Sequence, residues 1–162
     1  MSMVDVEPDS VSINRILVPV DGSPTSIKAA NYAIYLAKTA NAELAVVNII
    51  EDVKQGGAIG LQAKYGNVSL VEAFKKVRTE SAQEWLNQIE DAAKKNGVKV
   101  KIEILDADGH NEAKLITEYT KKNDIELIII GSKGRSGIKG LWIGGFTNSV
   151  IHHSTCPVLV VP

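Results

Sequence analysis

Residues 128–149 read IIIGSKGRSGIKGLWIGGFTNS, an apolar run that passes straight into a glycine-rich, basic loop and then into a segment able to start a helix. Glycines stand at Gly131, Gly134, Gly137, Gly140, Gly144 and Gly145, and Lys133, Arg135 and Lys139 share the loop with no acidic residue. The isoleucine run has the pattern of a strand buried on both faces, as in a parallel sheet. A strand-to-helix turn at the carboxyl end of such a strand is where open α/β sheets bind ligands. Glycine lets main-chain N–H groups approach a phosphate closely, and a helix beginning near Gly145 adds unpaired donors and the positive end of its dipole. An ordinary surface connection can have the same composition. The position behind a strand is what favours a phosphate or nucleotide cradle.

The rest of the chain supplies the sheet that this strand needs. RILVPV at 15–20 is a second central-strand run, and Asp21-Gly22-Ser23-Pro24 then provides turn and helix-start signals. With Ser23 as cap and Pro24 in the first turn, a helix runs to about Ala40, with Ile27, Ala30, Ile34 and Ala37 at helical spacing. ELAVVNII at 43–50 is another buried strand. Between Glu51 and Asn67 the scattered glycines and lack of period predict a long mobile loop. A helix over 68–95 follows, with Val71, Phe74, Val77, Ser81, Trp85, Ile89 and Ala92 on one face, and Asn96-Gly97 ends it. VKVKIEIL at 98–105 alternates apolar and charged residues, which suits a strand near a sheet edge. Helices over 111–122 (Ala113, Ile116 and Tyr119 inward) and 145–153, and strands at 125–130 and 157–161, complete the order βαβαβαβαβ.

Strands alternating with helices imply an α/β fold, a three-layer α/β/α sandwich around a doubly wound five-stranded parallel sheet. The expected strand order is 3-2-1-4-5, with the first and fourth strands adjacent where the winding reverses. Val20-Asp21 and Ile130-Gly131 then line one crevice. With 162 residues, a single domain over 14–162 is expected, preceded by a loose acidic tail over 1–13.

Hydrophobic residues at 44%, charged residues at 23% and a net charge of -1 argue against general nucleic-acid binding. No run approaches the roughly 18 apolar residues that span a bilayer. Cys156 stands alone, which excludes an internal disulfide, and it reads as a small residue entering a strand. A cytoplasmic protein is expected, with neither nucleic acid nor membrane as partner.

Two segments, ILVPVDGS at 16–23 and the glycine loop leading into VIHHSTCPVLVVP, resemble the universal stress protein family, and the resemblance extends over about 14–162. Its ATP-binding members carry glycine, two residues, glycine, nine residues, glycine, then serine or threonine. Gly131, Gly134 and Gly144 match that spacing, and Gly145 stands where the hydroxyl residue belongs. Loss of one charge-assisted hydrogen bond costs roughly 1.5 to 3 kcal/mol. The departure therefore weakens the case for the terminal phosphates more than for adenosine. Thr147, two residues on, is the substitute donor the sequence offers.

The resemblance implies an adenine nucleotide as ligand, ATP or ADP/AMP, with Mg or Mn carried by its phosphates. It places Pro19, Val20 and Asp21 at the nucleotide, Ile49 and Ile130 against the base, and Gly131, Ser132, Lys133 and Gly134 around ribose and phosphates. Gly144, Gly145, Phe146 and Thr147 would present amides, with Arg135 beside Lys133 as positive charge. Asp21 is also the candidate metal contact through the nucleotide-bound ion; equally, its carboxylate serves the Asp-Gly turn or a helix start. His110 is a weaker candidate for the crevice, and His152 and His153 suit the negative end of a short helix.

No residue pattern of a dedicated catalyst is present: no Gly-x-Ser-x-Gly, Walker A sequence or HExxH. The expected function is a regulatory or stress-response nucleotide binder with at most slow ATP hydrolysis. The rivals are a true metal-dependent ATPase built on Asp21 and a nucleotide-free structural dimer. The resemblance also implies homodimerisation through the strand at 157–161, whose apolar edge invites a second copy.

Overall fold

The computed structural model describes residues 7–52, 57–134 and 143–162. Five parallel strands form one sheet in the order β3-β2-β1-β4-β5. They are β1 (Arg15–Pro19), β2 (Glu43–Ile50), β3 (Val100–Asp106), β4 (Leu127–Gly131) and β5 (Val158–Val161). The helices are α1 (Pro24–Ala40), α2 (Gly57–Lys64), α3 (Val68–Lys95), α4 (Glu112–Lys122) and α5 (Gly145–His153). A 3-10 turn at Pro8–Ser10 lies exposed ahead of the sheet.

The sheet separates two cores. On one face Ile16, Val18, Leu44, Val46 and Ile129 pack against α1 and the second half of α3. On the other, Leu17, Val47, Ile128 and Ile130 pack against α4 and α5. The odd and even positions of each strand thus serve opposite faces, which is why the central strands read as unbroken apolar runs. Helix starts follow local chemistry: the Ser23 hydroxyl accepts from Ser26 N at 3.3 Å and Asn111 Oδ1 from Lys114 N at 3.0 Å. Gly97, at φ +75°, leaves α3 through the left-handed region that glycine tolerates.

Two expectations are corrected. The long loop predicted over 51–67 contains α2, whose GAIGLQAK sequence carries no helical stripe of its own. Residues 53–56 of that stretch lie outside the described residues. The inward face of α3 matches the predicted one only in part: Val71 and Ile89 are buried as expected, but Ala82, Leu86 and Ala93 are buried with them, whereas Ser81 is exposed and Val77 is 61% exposed. Phe74 and Val77, in its first half, line a cleft instead.

β1 and β4 pair at Ile16↔Leu127 and Leu17↔Ile128, the point at which the winding reverses. Their carboxyl ends, Val20-Asp21 and Gly131, open side by side. No helix among the described residues is long and apolar enough to cross a membrane.

Candidate functional site

Above that reversal lies a cavity of about 370 Å³, within the range of small-molecule sites. Its walls come from every element meeting there. Pro19, Val20 and Asp21 close the end of β1, Val47 and Ile49 that of β2, and Ile130 and Gly131 that of β4. Lys133 and Gly134 begin the glycine loop, Phe146 and Thr147 begin α5, and Ser26, Arg78 and Glu112 reach in from α1, α3 and α4.

The loop after β4 is held down on the start of α1. The hydroxyls of Ser23 and Thr25 both donate to the Lys133 carbonyl, the first at 3.3 Å. Gly131 is needed for that approach: a Cβ there would lie 2.8 Å from Ser26 N and Thr25 C, both backbone atoms. Gly134 stands over the Asp21 carboxylate, and a Cβ would lie 2.9 Å from Asp21 Oδ2. Asp21 Oδ1 accepts from Ser23 N at 2.9 Å, so this side chain braces its own turn while facing the cavity. A ligand resting on Gly134 is thereby presented to a carboxylate.

Not every residue singled out in the sequence lines the cavity. Ser132 is buried: its N–H donates to Val161 O at 2.8 Å, and its carbonyl accepts from Gly144 N at 2.7 Å. Ser132 and Gly144 therefore fasten the two ends of the loop to each other and to β5. The amide expected from Gly144 is already committed. Thr147 is 2% exposed and its hydroxyl donates to Gly131 O at 2.8 Å, so its proton is spent on the backbone. This corrects the expectation that Thr147 substitutes as a phosphate donor. Gly145, the first residue of α5, lines a neighbouring cleft with Phe146 and Ser149. His110 lines that cleft and not the cavity above the reversal, although the two adjoin at Glu51, Glu112 and Phe146. His153 Nδ1 donates within its own helix, to Ser149 O at 2.8 Å. Arg135 and Lys139 lie outside the described residues.

Val47, Glu51, Ser26, Arg78 and Glu112 line the cavity without having been singled out. Only Glu51 had a local signal, being the first residue after an apolar strand. Arg78 is one cation among Lys75, Lys76 and Arg78 on a polar stretch of helix, and its stem is set by Phe74, with the guanidinium carbon 5.0 Å from the ring centroid. On the same helix, Lys75 donates to Asp106 Oδ2 at 2.8 Å, and that bond, reinforced by the charges of Asp106, Asp108 and Asp52, raises the pKa of its ammonium group.

The described wall carries the carboxylates of Asp21, Glu51 and Glu112 against the cations of Arg78 and Lys133. An anion fits there when it sits on main-chain donors, or when it brings a divalent cation with it. Backbone N–H groups at the first turn of α5, behind Gly144, are donors of that kind. Among the described residues no group of three or more His, Cys, Asp or Glu side chains could hold a metal unaided.

Comparison with known proteins agrees with this architecture. The family model "Universal stress protein family" matches residues 12–162. Universal stress protein MJ0531 of Methanocaldococcus jannaschii is 35% identical over 147 residues, covering 91% of this chain and 81% of that protein. Universal stress protein YxiE of Bacillus subtilis is 35% identical over 150 residues, covering 91% and 98%. Among solved structures, universal stress protein UspA of Lactobacillus plantarum superimposes with a TM-score of 0.82 at 21% identity, covering 94% of this chain and 99% of that one. Two more distant folds were solved with ligands. One, from Archaeoglobus fulgidus, is in complex with dAMP (TM-score 0.62, 15% identity, covering 93% and 98%). The other is a universal stress protein in complex with cAMP (TM-score 0.62, 19% identity, covering 94% and 98%). With a family model spanning nearly the whole length and two relatives at 35% identity, this chain belongs to the universal stress protein family.

Proposed function

We propose that the cavity at the β1/β4 reversal binds an adenine nucleotide, ATP, ADP or AMP, and that the bound nucleotide sets the conformation or partner contacts of a cytoplasmic regulatory or stress-response protein. The observation that carries this reading is the joint placement of Asp21, Ile49, Ile130, Gly131, Lys133 and Gly134 around one cavity, with the start of α5 beside it. Its apolar part, Val47, Ile49 and Ile130, suits a base, and its glycine rim suits phosphates. The dAMP and cAMP complexes of distantly similar folds support the same class of ligand.

Where Mg or Mn accompanies the nucleotide, Asp21 would contact it together with the phosphate oxygens, offsetting the surplus of wall carboxylates. Hydrolysis is expected to be slow; turnover far above that of an Asp21→Ala variant would overturn that part.

The test begins with nucleotide released on denaturing freshly purified protein, followed by calorimetric titration of the stripped protein and of Gly134→Glu. Adenine nucleotide bound by the parent and lost in the variant is the expected result. A parent that binds none of ATP, ADP or AMP at high micromolar concentration, with or without magnesium, refutes the reading.

A further inference from the structure

β2 carries a polar residue, Asn48, inside an apolar run, on the same face as Val46 and therefore on the α1 and α3 side of the sheet. Asn48 is 5% exposed, and its Nδ2 donates to Val20 O at 2.8 Å, just where the chain leaves β1. That carbonyl belongs to the peptide group whose N–H is that of Asp21, and Asp21 N donates to the hydroxyl of Ser26, also buried, at 3.3 Å. One peptide plane is thereby pinned at both ends, from β2 and from α1. Val20 N already donates to Val47 O at 2.8 Å, so the strands pair here without help from the Asn48 side chain. What that side chain adds is the orientation of the Val20–Asp21 peptide. The bond has a cost. With Nδ2 committed to a carbonyl the amide cannot turn over, and Oδ1 is fully buried with no hydrogen-bond partner among the described residues. A leucine of similar size would leave no such acceptor unmatched.

We infer that Asn48 is a positioning residue, which fixes the Val20–Asp21 peptide so that the Asp21 carboxylate is presented to the cavity above the reversal; its effect on a ligand rests on the nucleotide reading above. Asn48 does not line that cavity, so it acts on a ligand there only through Asp21. Rotation of the peptide would swing the Cα–Cβ bond of Asp21 and break the 2.9 Å bond from Ser23 N to Asp21 Oδ1 that braces the turn. Gly134 stands over the same carboxylate, so the displacement would reach the rim of the glycine loop as well. The unmatched Oδ1 is the stability given up for a carboxylate held in one place.

The test has two arms. In the nucleotide-free protein, amide hydrogen exchange followed by NMR compares the parent with Asn48→Leu. The Asp21 and Ser23 amides should exchange about ten-fold faster in the variant, while the Val20 amide, bonded to Val47 O, keeps its protection. Unchanged exchange at Asp21 and Ser23, or protection lost along the whole of β1, overturns the assignment. The second arm titrates AMP into the stripped parent, Asn48→Leu, Asp21→Ala and the double variant. Asn48→Leu should weaken AMP about five-fold in the parent and by less than about two-fold once Asp21 is gone. No loss in the parent, or equal losses in both backgrounds, overturns the assignment of Asn48 and leaves the nucleotide reading standing. A parent that binds no AMP overturns the nucleotide reading instead. Where the parent or Asp21→Ala gives no measurable binding, the exchange arm alone decides whether Asn48 positions Asp21. If Asn48→Leu does not fold, Asn48→Ser, which is smaller and also lacks the amide, takes its place in both arms.

Discussion

Gly131 and Gly134 are three residues apart in one motif, yet they are glycines for different reasons. At Gly131 the space for a Cβ is taken by backbone atoms of Thr25 and Ser26, so alanine must push the first turn of α1 away from β4. At Gly134 the obstacle is the Asp21 carboxylate, a side-chain end that can move. Gly131→Ala should therefore lower unfolding stability by about 1–3 kcal/mol. Gly134→Ala should leave stability near that of the parent and weaken nucleotide binding, by occupying the rim and displacing Asp21. Urea unfolding and calorimetry on the same two variants separate the effects; equal stability losses would contradict this division. Gly145 is a third case, since a Cβ there meets nothing within 4 Å. Gly145→Ser fits the space and adds a hydroxyl at the start of α5. ATP and ADP should then bind about ten-fold more tightly, with a smaller gain for AMP. Titrations showing no gain for the longer phosphates would mean that this position faces away from them.

The helix α3 shows which elements local pattern can define and which it cannot. Its existence and both ends were legible, because 28 residues without proline end at Asn96-Gly97. Its inward face was not, since the apolar series through Val77 and the one through Leu86 are both compatible with helical spacing. The sheet decides between them, burying Leu86 completely and leaving Val77 at the cleft. Leu86→Ala should cost about 2–5 kcal/mol. Val77→Ala should change stability by no more than about 0.5 kcal/mol. Thermal or urea unfolding that ranked the two the other way would put the predicted face back against the sheet. The five strands were easier to read, β3 by its alternation of apolar and charged residues and the others as largely apolar runs bounded by turn residues. α2 was hidden for the opposite reason, with two glycines in eight residues and no stripe. The candidate site was half legible. Asp21 and the glycines sit in local motifs, but Arg78 and Glu112 arrive from helices whose sequence neighbours have no part in the cavity. Only the crossing of α3 and α4 over the strand ends brings them there.

At the scale of the whole molecule, the sheet has one edge that differs from the other in chemistry. β3 carries Lys101 and Glu103 along its length, charges that discourage another strand from pairing. β5 is Val158–Val161, four apolar residues paired with β4 on one side, and Leu159 is 38% exposed. We propose that β5 is the contact through which two copies associate, with Leu159 at its centre. None of the β5 residues lines the nucleotide-sized cavity, although Val161 O holds Ser132 N and so ties this edge to the base of the glycine loop. A charge at Leu159 should therefore separate the copies without emptying the site. Light scattering at micromolar concentration should give a dimer for the parent and a monomer for Leu159→Glu, while AMP affinity of the variant stays within a few-fold of the parent. A parent that is already monomeric removes β5 as an interface. A variant that becomes monomeric and loses AMP as well would mean that the Val161–Ser132 bond transmits assembly to the cradle.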